Sequence, residues 1–148
     1  GKKNLGLMMT SYGNAYVASV NMGMDREITA KAFVEAEQHN GPSIIIAYSP
    51  CIAHGYEMRL TKKQSEKATK CGYWPMYRFN PDLRAQGLDP FSWDVPGEPD
   101  TEFSNYLEEE LRYKTLNLTN PAEAERLVEL AQKDNAQRFK DIKHLSEV

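Results

Sequence analysis

The stretch Tyr48-Ser49-Pro50-Cys51-Ile52-Ala53-His54-Gly55 brings a thiol and an imidazole within three residues of each other, between a proline and a glycine. A cysteine there can be a nucleophile, a metal or cluster ligand, or an inert packing group. Thiolates are activated by nearby imidazole, so Cys51 with His54 as its base is one reading. Three residues is a short reach within a loop, however, and no Asp or Asn stands where it would orient the base. A structural thiol is the plainer alternative, because free cysteine is among the most buried residue types. His54 then reads as a turn residue. Local sequence leaves these alternatives open.

The other polar and aromatic clusters carry weaker signals. Cys71 precedes Gly72 at the end of a helical pattern and has no metal-spaced partner, so it reads as packing. Two cysteines can build neither a disulfide framework nor a complete metal site. Tyr73, Trp74, Tyr77 and Phe79 form an aromatic stretch. With no basic clustering beside them they read as core or subunit-interface residues rather than a nucleic-acid stacking platform. The run Glu108-Glu109-Glu110 reads as a solvated helix face. No GxGxxG, P-loop, HExxH, GxSxG or CxxC pattern occurs, which removes the usual anchors for nucleotide, zinc-protease, serine-hydrolase and dithiol chemistry.

The elements that must position Cys51 come from periodicity. Leu5, Met8 and Met9 fall at helical spacing within Lys3 to Ser11, and Ala15 to Val20 reads as a strand. Asn21-Met22-Gly23 turns the chain. Asp25 is the expected N-cap of a helix to about His39, with Ile28, Ala32, Phe33 and Ala36 on its inner face. Asn40-Gly41-Pro42 ends it. Ser43 to Tyr48 is a continuous β-rich run of the kind buried on both faces of a parallel sheet. Strand, helix and strand make a βαβ unit, which brings both strand carboxyl ends to one sheet edge, where open α/β sheets keep their ligands. The loops at Asn21-Met22-Gly23 and Ser49-Pro50-Cys51 lie at that edge.

Further along, a helix is expected over Lys62 to Lys70, and the aromatic stretch after it can be extended. From Asn80 to Thr101 the chain carries Pro81, Pro90, Pro96 and Pro99 with Gly87 and Gly97, which predicts a turn-rich connector without its own core. Helices are expected at about Thr101 to Leu111 and Pro121 to Leu145. Asn120-Pro121 supplies a cap and first-turn proline for the second, with Leu127, Leu130 and Ala131 as its apolar stripe.

Composition fits a single soluble domain. Of 148 residues, 41% are hydrophobic and 26% charged, which is ordinary for a globular protein. A net charge of −3 argues against a nucleic-acid partner. Apolar runs as short as Leu5 to Met9 and Ser43 to Tyr48 cannot span a bilayer, so no membrane association is expected. The chain opens on a helical pattern without an initiating Met, which suggests a segment of something longer.

Three phrases in order and spacing make the sequence specific: Tyr16 to Gly23 (YVASVNMG), Gly41 to Gly55 (GPSIIIAYSPCIAHG) and Gly72 to Pro81 (GYWPMYRFNP). Together they resemble the end of the thiamine-diphosphate-binding region of the pyruvate:ferredoxin (flavodoxin) oxidoreductases, most strongly over residues 3 to 95. The resemblance implies a fragment of an enzyme that oxidatively decarboxylates pyruvate with CoA to acetyl-CoA and CO2. Such an enzyme uses thiamine diphosphate with magnesium and passes electrons through 4Fe-4S clusters to ferredoxin or flavodoxin. It implies that Cys51 is the isolated cysteine completing the cluster nearest the thiamine, with Pro50 and Gly55 shaping its loop. It carries no ligand role to Cys71.

The expected fold is accordingly α/β, a parallel-sheet βαβ portion of a thiamine-diphosphate-binding fold with a helical carboxy-terminal appendage. Residues 1–79 belong to the α/β part, 80–100 to the connector and 101–148 to the tail. Asn21, Met22 and Gly23 are candidate cofactor-binding residues by location. The family's Gly-Asp-Gly motif for magnesium and diphosphate is absent and is expected upstream of Gly1, so this chain by itself is expected to hold no cofactor and to be inactive. A homo-oligomer in the cytoplasm, or in the hydrogenosome of an anaerobic eukaryote, completes the expectation. The competing reading is a non-catalytic α/β interaction domain that docks a partner through its aromatic segment and helical tail.

Overall fold

The computed structural model describes residues 3–95 and 97–145. A short helix α1 (Leu5–Thr10) leads into strand β1 (Tyr16–Val20), helix α2 (Arg26–Gln38) and strand β2 (Ser43–Ala47). Asp25 caps α2 by accepting a hydrogen bond from the Ile28 amide, as its residue type and place before the first turn require. β1 and β2 pair in parallel from Tyr16 opposite Ser43 to Val20 opposite Ala47. The βαβ unit expected from periodicity is therefore present.

β1 is buried at every position because it lies between two layers. Tyr16, Ala18 and Val20 face Ala32, Ala36 and Ile45 on the α2 side. Ala15 and Val17 face Phe79, Met9, Ile44 and Phe91 on the other. One expected face is corrected here. On α2 the buried residues are Thr29 and Ala32, while Phe33 is 55% exposed. On α1 the residue pressed into the sheet is Gly6, under the Tyr77 ring, whereas Leu5 and Met8 are exposed.

A larger correction concerns β2. The Ile44-Ile45-Ile46 run, expected to be buried on both faces, is only half-buried. The sheet order is β2-β1-β3-β4, which makes β2 an edge strand with one neighbour. Its hydrophobicity matches an interior strand, but its burial is that of a margin.

Helix α3 (Thr61–Lys70) and strand β3 (Met76–Phe79) follow two short 3-10 turns at Ile52–His54 and Met58–Leu60. β3 pairs antiparallel with the far side of β1. The 80–100 stretch does more than connect: after a 3-10 turn at Pro81–Gln86 it supplies strand β4 (Phe91–Val95), antiparallel to β3. The sheet is thus mixed. Arg78 on β3 links three elements through a fork to Asp94 on β4 (2.8 and 2.9 Å) and two bonds to Glu35 on α2 (2.6 and 2.7 Å), and the Tyr16 hydroxyl donates to Glu35 at 2.9 Å.

The tail comprises α4 (Phe103–Leu107), α5 (Leu111–Thr119) and α6 (Pro121–Leu145). The α6 bounds coincide with the expected ones, and the Asn120 side chain accepts from the Glu123 amide as its cap. Its inner face differs from expectation. Ala124, Asn135, Phe139 and Ile142 are buried and Val128 packs beside them, whereas Leu127 and Leu130 are exposed. Asn135 donates to the Cys71 carbonyl at 3.0 Å, Arg138 to the Tyr73 carbonyl at 2.9 Å, and Trp93 meets Phe139 edge-on at 5.3 Å. The tail is docked on the α/β layer by these contacts. Among the described residues no helix is long and apolar enough to cross a membrane.

Candidate functional site at the carboxyl edge of the sheet

β1 and β2 end together. Tyr48 continues the pairing by donating its amide to the Val20 carbonyl at 2.9 Å, so the loops after both strands emerge at one edge. Asn21 is fully buried there. Its amide nitrogen donates to the Ser65 carbonyl (2.8 Å) and to Thr69 Oγ1 (2.9 Å), and its oxygen accepts from the Gly23 amide (3.2 Å). A Cβ on Gly23 would lie 2.4 Å from Ser65 Cβ, which is why glycine stands at this close approach. Asn21 and Gly23 thus fasten the β1 end to α3. Met22 between them projects outward, 65% exposed.

Cys51 is exposed and extended, and it opens the Ile52–His54 turn. Gly55 closes that turn at φ 78°, in the left-handed region that glycine enters without steric cost. Space requires glycine there too, since a Cβ would lie 2.5 Å from Leu111 Cβ on α5. His54 points into the tail. Its Nδ1 lies 2.7 Å from Oε2 of Glu110 and its Nε2 lies 3.3 Å from Nη1 of Arg112. Both ring nitrogens are engaged, which leaves neither to act as a base for the Cys51 thiol and removes the support for a Cys-His nucleophile.

Glu110 is the residue that sequence reasoning missed. Expected on a solvated face, it is 2% exposed, at the break between α4 and α5. Gln64 on α3 donates to its second oxygen at 3.0 Å. Its backbone is extended at that break, immediately before α5, so helical spacing from Tyr106 and Leu107 could not have singled it out. Its neighbour Glu109, by contrast, pairs with Lys67. The Tyr48 and Tyr106 hydroxyls meet at 2.9 Å, and burial pushes Tyr48 up to about 12. Together with Pro50, Cys51, Trp74 and Glu110 these residues border a cleft of about 270 Å³.

The expected aromatics are core residues. Tyr73 stacks on Phe103 and Tyr106, Tyr77 on Phe91, and Trp74 donates to the Val20 carbonyl at 3.1 Å. Cys71 is buried beside them, its thiol donates to the Ala68 carbonyl, and burial pushes its pKa up to about 11. A 4Fe-4S cluster takes four cysteine thiolates. Among the described residues no three His, Cys, Asp or Glu side chains group as a metal site. Cys51, exposed on a glycine-closed turn, fits one corner of such a cluster; Cys71, turned inward, does not.

No family model matches the chain. Whole-chain comparison is informative. A pyruvate:ferredoxin oxidoreductase of Moorella thermoacetica is 45% identical over 146 residues, 99% of this chain and 12% of that protein. A pyruvate-flavodoxin oxidoreductase of Trichormus variabilis is 46% identical over 147 residues, 98% of this chain and 12% of that protein. A mitochondrial pyruvate dehydrogenase [NADP(+)] of Euglena gracilis is 44% identical over 131 residues, 85% of this chain and 7% of that protein. From end to end, then, the chain is homologous to one segment of the pyruvate:ferredoxin and pyruvate-flavodoxin oxidoreductases, a segment about 12% of their length.

Proposed function

We propose that this chain forms part of an enzyme that oxidatively decarboxylates pyruvate with CoA to acetyl-CoA and CO2 and delivers the electrons to ferredoxin or flavodoxin. On this reading the working protein is a cytoplasmic or hydrogenosomal homo-oligomer. The observation that carries the reading is the placement of Cys51. Within a chain matched over 98–99% of its length by such oxidoreductases, an exposed thiol stands where two parallel strands end. That is the edge at which α/β sheets bind ligands.

Cys51 would supply one thiolate to a 4Fe-4S cluster whose other ligands lie outside this chain, and the cluster would carry single electrons away from the substrate. Pro50 fixes its own φ and Gly55 permits the left-handed residue that closes the turn, so the thiol is presented from a defined turn. Thiamine diphosphate with magnesium would supply carbanion stabilisation at the same edge. Of the three candidate cofactor contacts, Met22 is the side chain free to approach it, while Asn21 and Gly23 hold the β1 end in place from below. The test is Cys51→Ser in the full-length oxidoreductase, read by iron content and by electron paramagnetic resonance of the reduced protein. Loss or alteration of one cluster signal is expected. An unchanged set of signals with unchanged iron would overturn the assignment.

A further inference from the structure

We infer that the tail is a working part of the cysteine site: Glu110, held between α3 and the Cys51 turn, positions that turn through His54. The inference rests on the reading of Cys51 as a cluster ligand and adds to it the device that fixes the ligand's geometry.

Among the described residues, the turn's hydrogen bonds are either internal or to the tail. Its internal bonds are His54 N to the Cys51 carbonyl and Gly55 N to the Ile52 carbonyl, both 2.9 Å. These define its shape but do not tie it to the body. The ties run to the tail: His54 to Glu110 at 2.7 Å, Gly55 against Leu111, and Tyr48, at the start of the loop, to Tyr106 at 2.9 Å. A carboxylate is buried only where hydrogen bonds and charge compensate its lost hydration. Glu110 therefore holds its partners as firmly as they hold it. Gln64 anchors the carboxylate to α3, so the chain of contacts runs from a rigid helix through Glu110 and His54 to the residue three positions from Cys51. Cys51 itself makes none of these contacts. Glu110 and His54 are positioning residues.

The side-chain oxygen of Gln64 is buried without a partner. Glu110→Gln keeps an oxygen for His54, and its amide nitrogen faces the Gln64 side chain, whose amide can turn over to present that unpartnered oxygen. Glu110→Ala removes the carboxylate from His54 and leaves it the 3.3 Å contact to Arg112.

Hydrogen exchange of residues 52–56, read alongside alkylation of Cys71, separates local from general effects, because Cys71 is buried under the same tail. In this chain Glu110→Ala should speed exchange of the His54 and Gly55 amides on the order of tenfold. Glu110→Gln should stay close to the parent, and Cys71 should remain protected in both. In the full-length oxidoreductase, Glu110→Ala should retain the other clusters but shift the reduction potential or spectrum of the Cys51-bound one. Unchanged exchange at 52–56, or Cys71 labelling that accelerates in step with it, would overturn the positioning role. Faster turn exchange with an unaltered cluster potential and spectrum would overturn the link to the cluster. Failure of Cys51→Ser to alter any cluster would instead refute the ligand reading and leave the exchange result standing.

Discussion

Replacing Arg78 with Met should unfold this chain far more readily than an ordinary surface change, and the structure sets the size of the effect. The guanidinium makes two bonds to Asp94 and two to Glu35, all within 2.9 Å. It lies 8% exposed on β3, under α2 and beside β4. Asp94 and then Glu35 raise its pKa above the ordinary arginine value against the opposing effect of burial, so it is a permanent cation at the junction. Methionine fills much of the same space, and the deficit is electrostatic. Asp94, with a side chain 8% exposed, loses both of those bonds. Glu35 keeps the Tyr16 hydroxyl and the ammonium of Lys31 at 3.9 Å.

Removing one partner of a buried ion pair costs about 3–5 kcal/mol, against a total stability of roughly 5–15 kcal/mol for a domain. With a urea dependence of about 1–3 kcal/mol per molar, the midpoint should fall by roughly 2 M at an unchanged slope. Arg78→Lys should fall in between, because an ammonium cannot form both forks. The triple change Arg78→Met, Asp94→Leu, Glu35→Gln should recover most of the loss, since an apolar replacement of a whole buried network is often close to neutral. A midpoint for Arg78→Met within about 0.5 M of the parent, with the same slope, would refute the view that this network joins the three elements.

The two thiols should separate in alkylation at pH 8: the exposed Cys51 labels in the native chain and Cys71, buried and pushed up to about 11, only after denaturation. Two adducts forming at equal rates would contradict the burial of Cys71. The Asp82 carboxylate, 2.8 Å away, raises the pKa of His39, with burial opposing it and the Asn14 carbonyl assisting. A raised folded pKa stabilises fully below the unfolded value of about 6.5 and is lost as pH climbs through the folded one. Asp82→Asn should therefore lower Tm at pH 5.5 and leave it unchanged at pH 9; equal losses at both would exclude this linkage. Gly72→Ala should cost more than Gly87→Ala, measured by chemical denaturation. Both sit at positive φ, worth about 1–2 kcal/mol, but only at Gly72 does the new methyl meet a ring, 2.9 Å from Phe139. Calorimetry with thiamine diphosphate and magnesium should show no tight binding to this chain, because Asn21 and Gly23 are engaged internally and the family's diphosphate motif is absent from it. Submicromolar affinity would place the site elsewhere.

The β1-α2-β2 unit was legible because its signals are local: a carboxylate cap at Asp25, a β-branched run at Ser43–Ala47 and a Gly-Pro break between helix and strand. What sequence could not supply was the identity of neighbours. The isoleucines of β2 have interior character, yet how much of them is covered depends on what lies beyond the strand, which composition does not encode. The face of α6 was misread for a related reason. Leu127 and Leu130 are apolar, but the surface the helix meets toward its carboxyl end is already filled by Trp93, Tyr73 and Cys71. The helix meets that surface with the hydrogen-bonding Asn135 and Arg138, and Phe139 enters where a single ring fits. Glu110 escaped because three consecutive glutamates look alike until a helix break separates them.

These misreadings share a geometry that bears on the site. β1 and β2 are adjacent and parallel, so their following loops emerge side by side at one carboxyl edge; β3 opposes them, and β4, antiparallel to β3, runs in their direction on the far side of the sheet. The candidate ligand therefore comes from the strand whose outer margin is least covered. A cluster bound by one thiolate from this chain needs three more from elsewhere, and they must approach Cys51 from a side that α3 and the tail do not fill. Glu110 and His54 occupy the tail side of the turn. On the proposed reading, the burial of Glu110 serves that turn. The tail and α3 hold the Cys51 turn through His54 and Glu110 while the thiol itself stays exposed, so the remaining ligands would meet a thiol already fixed in place.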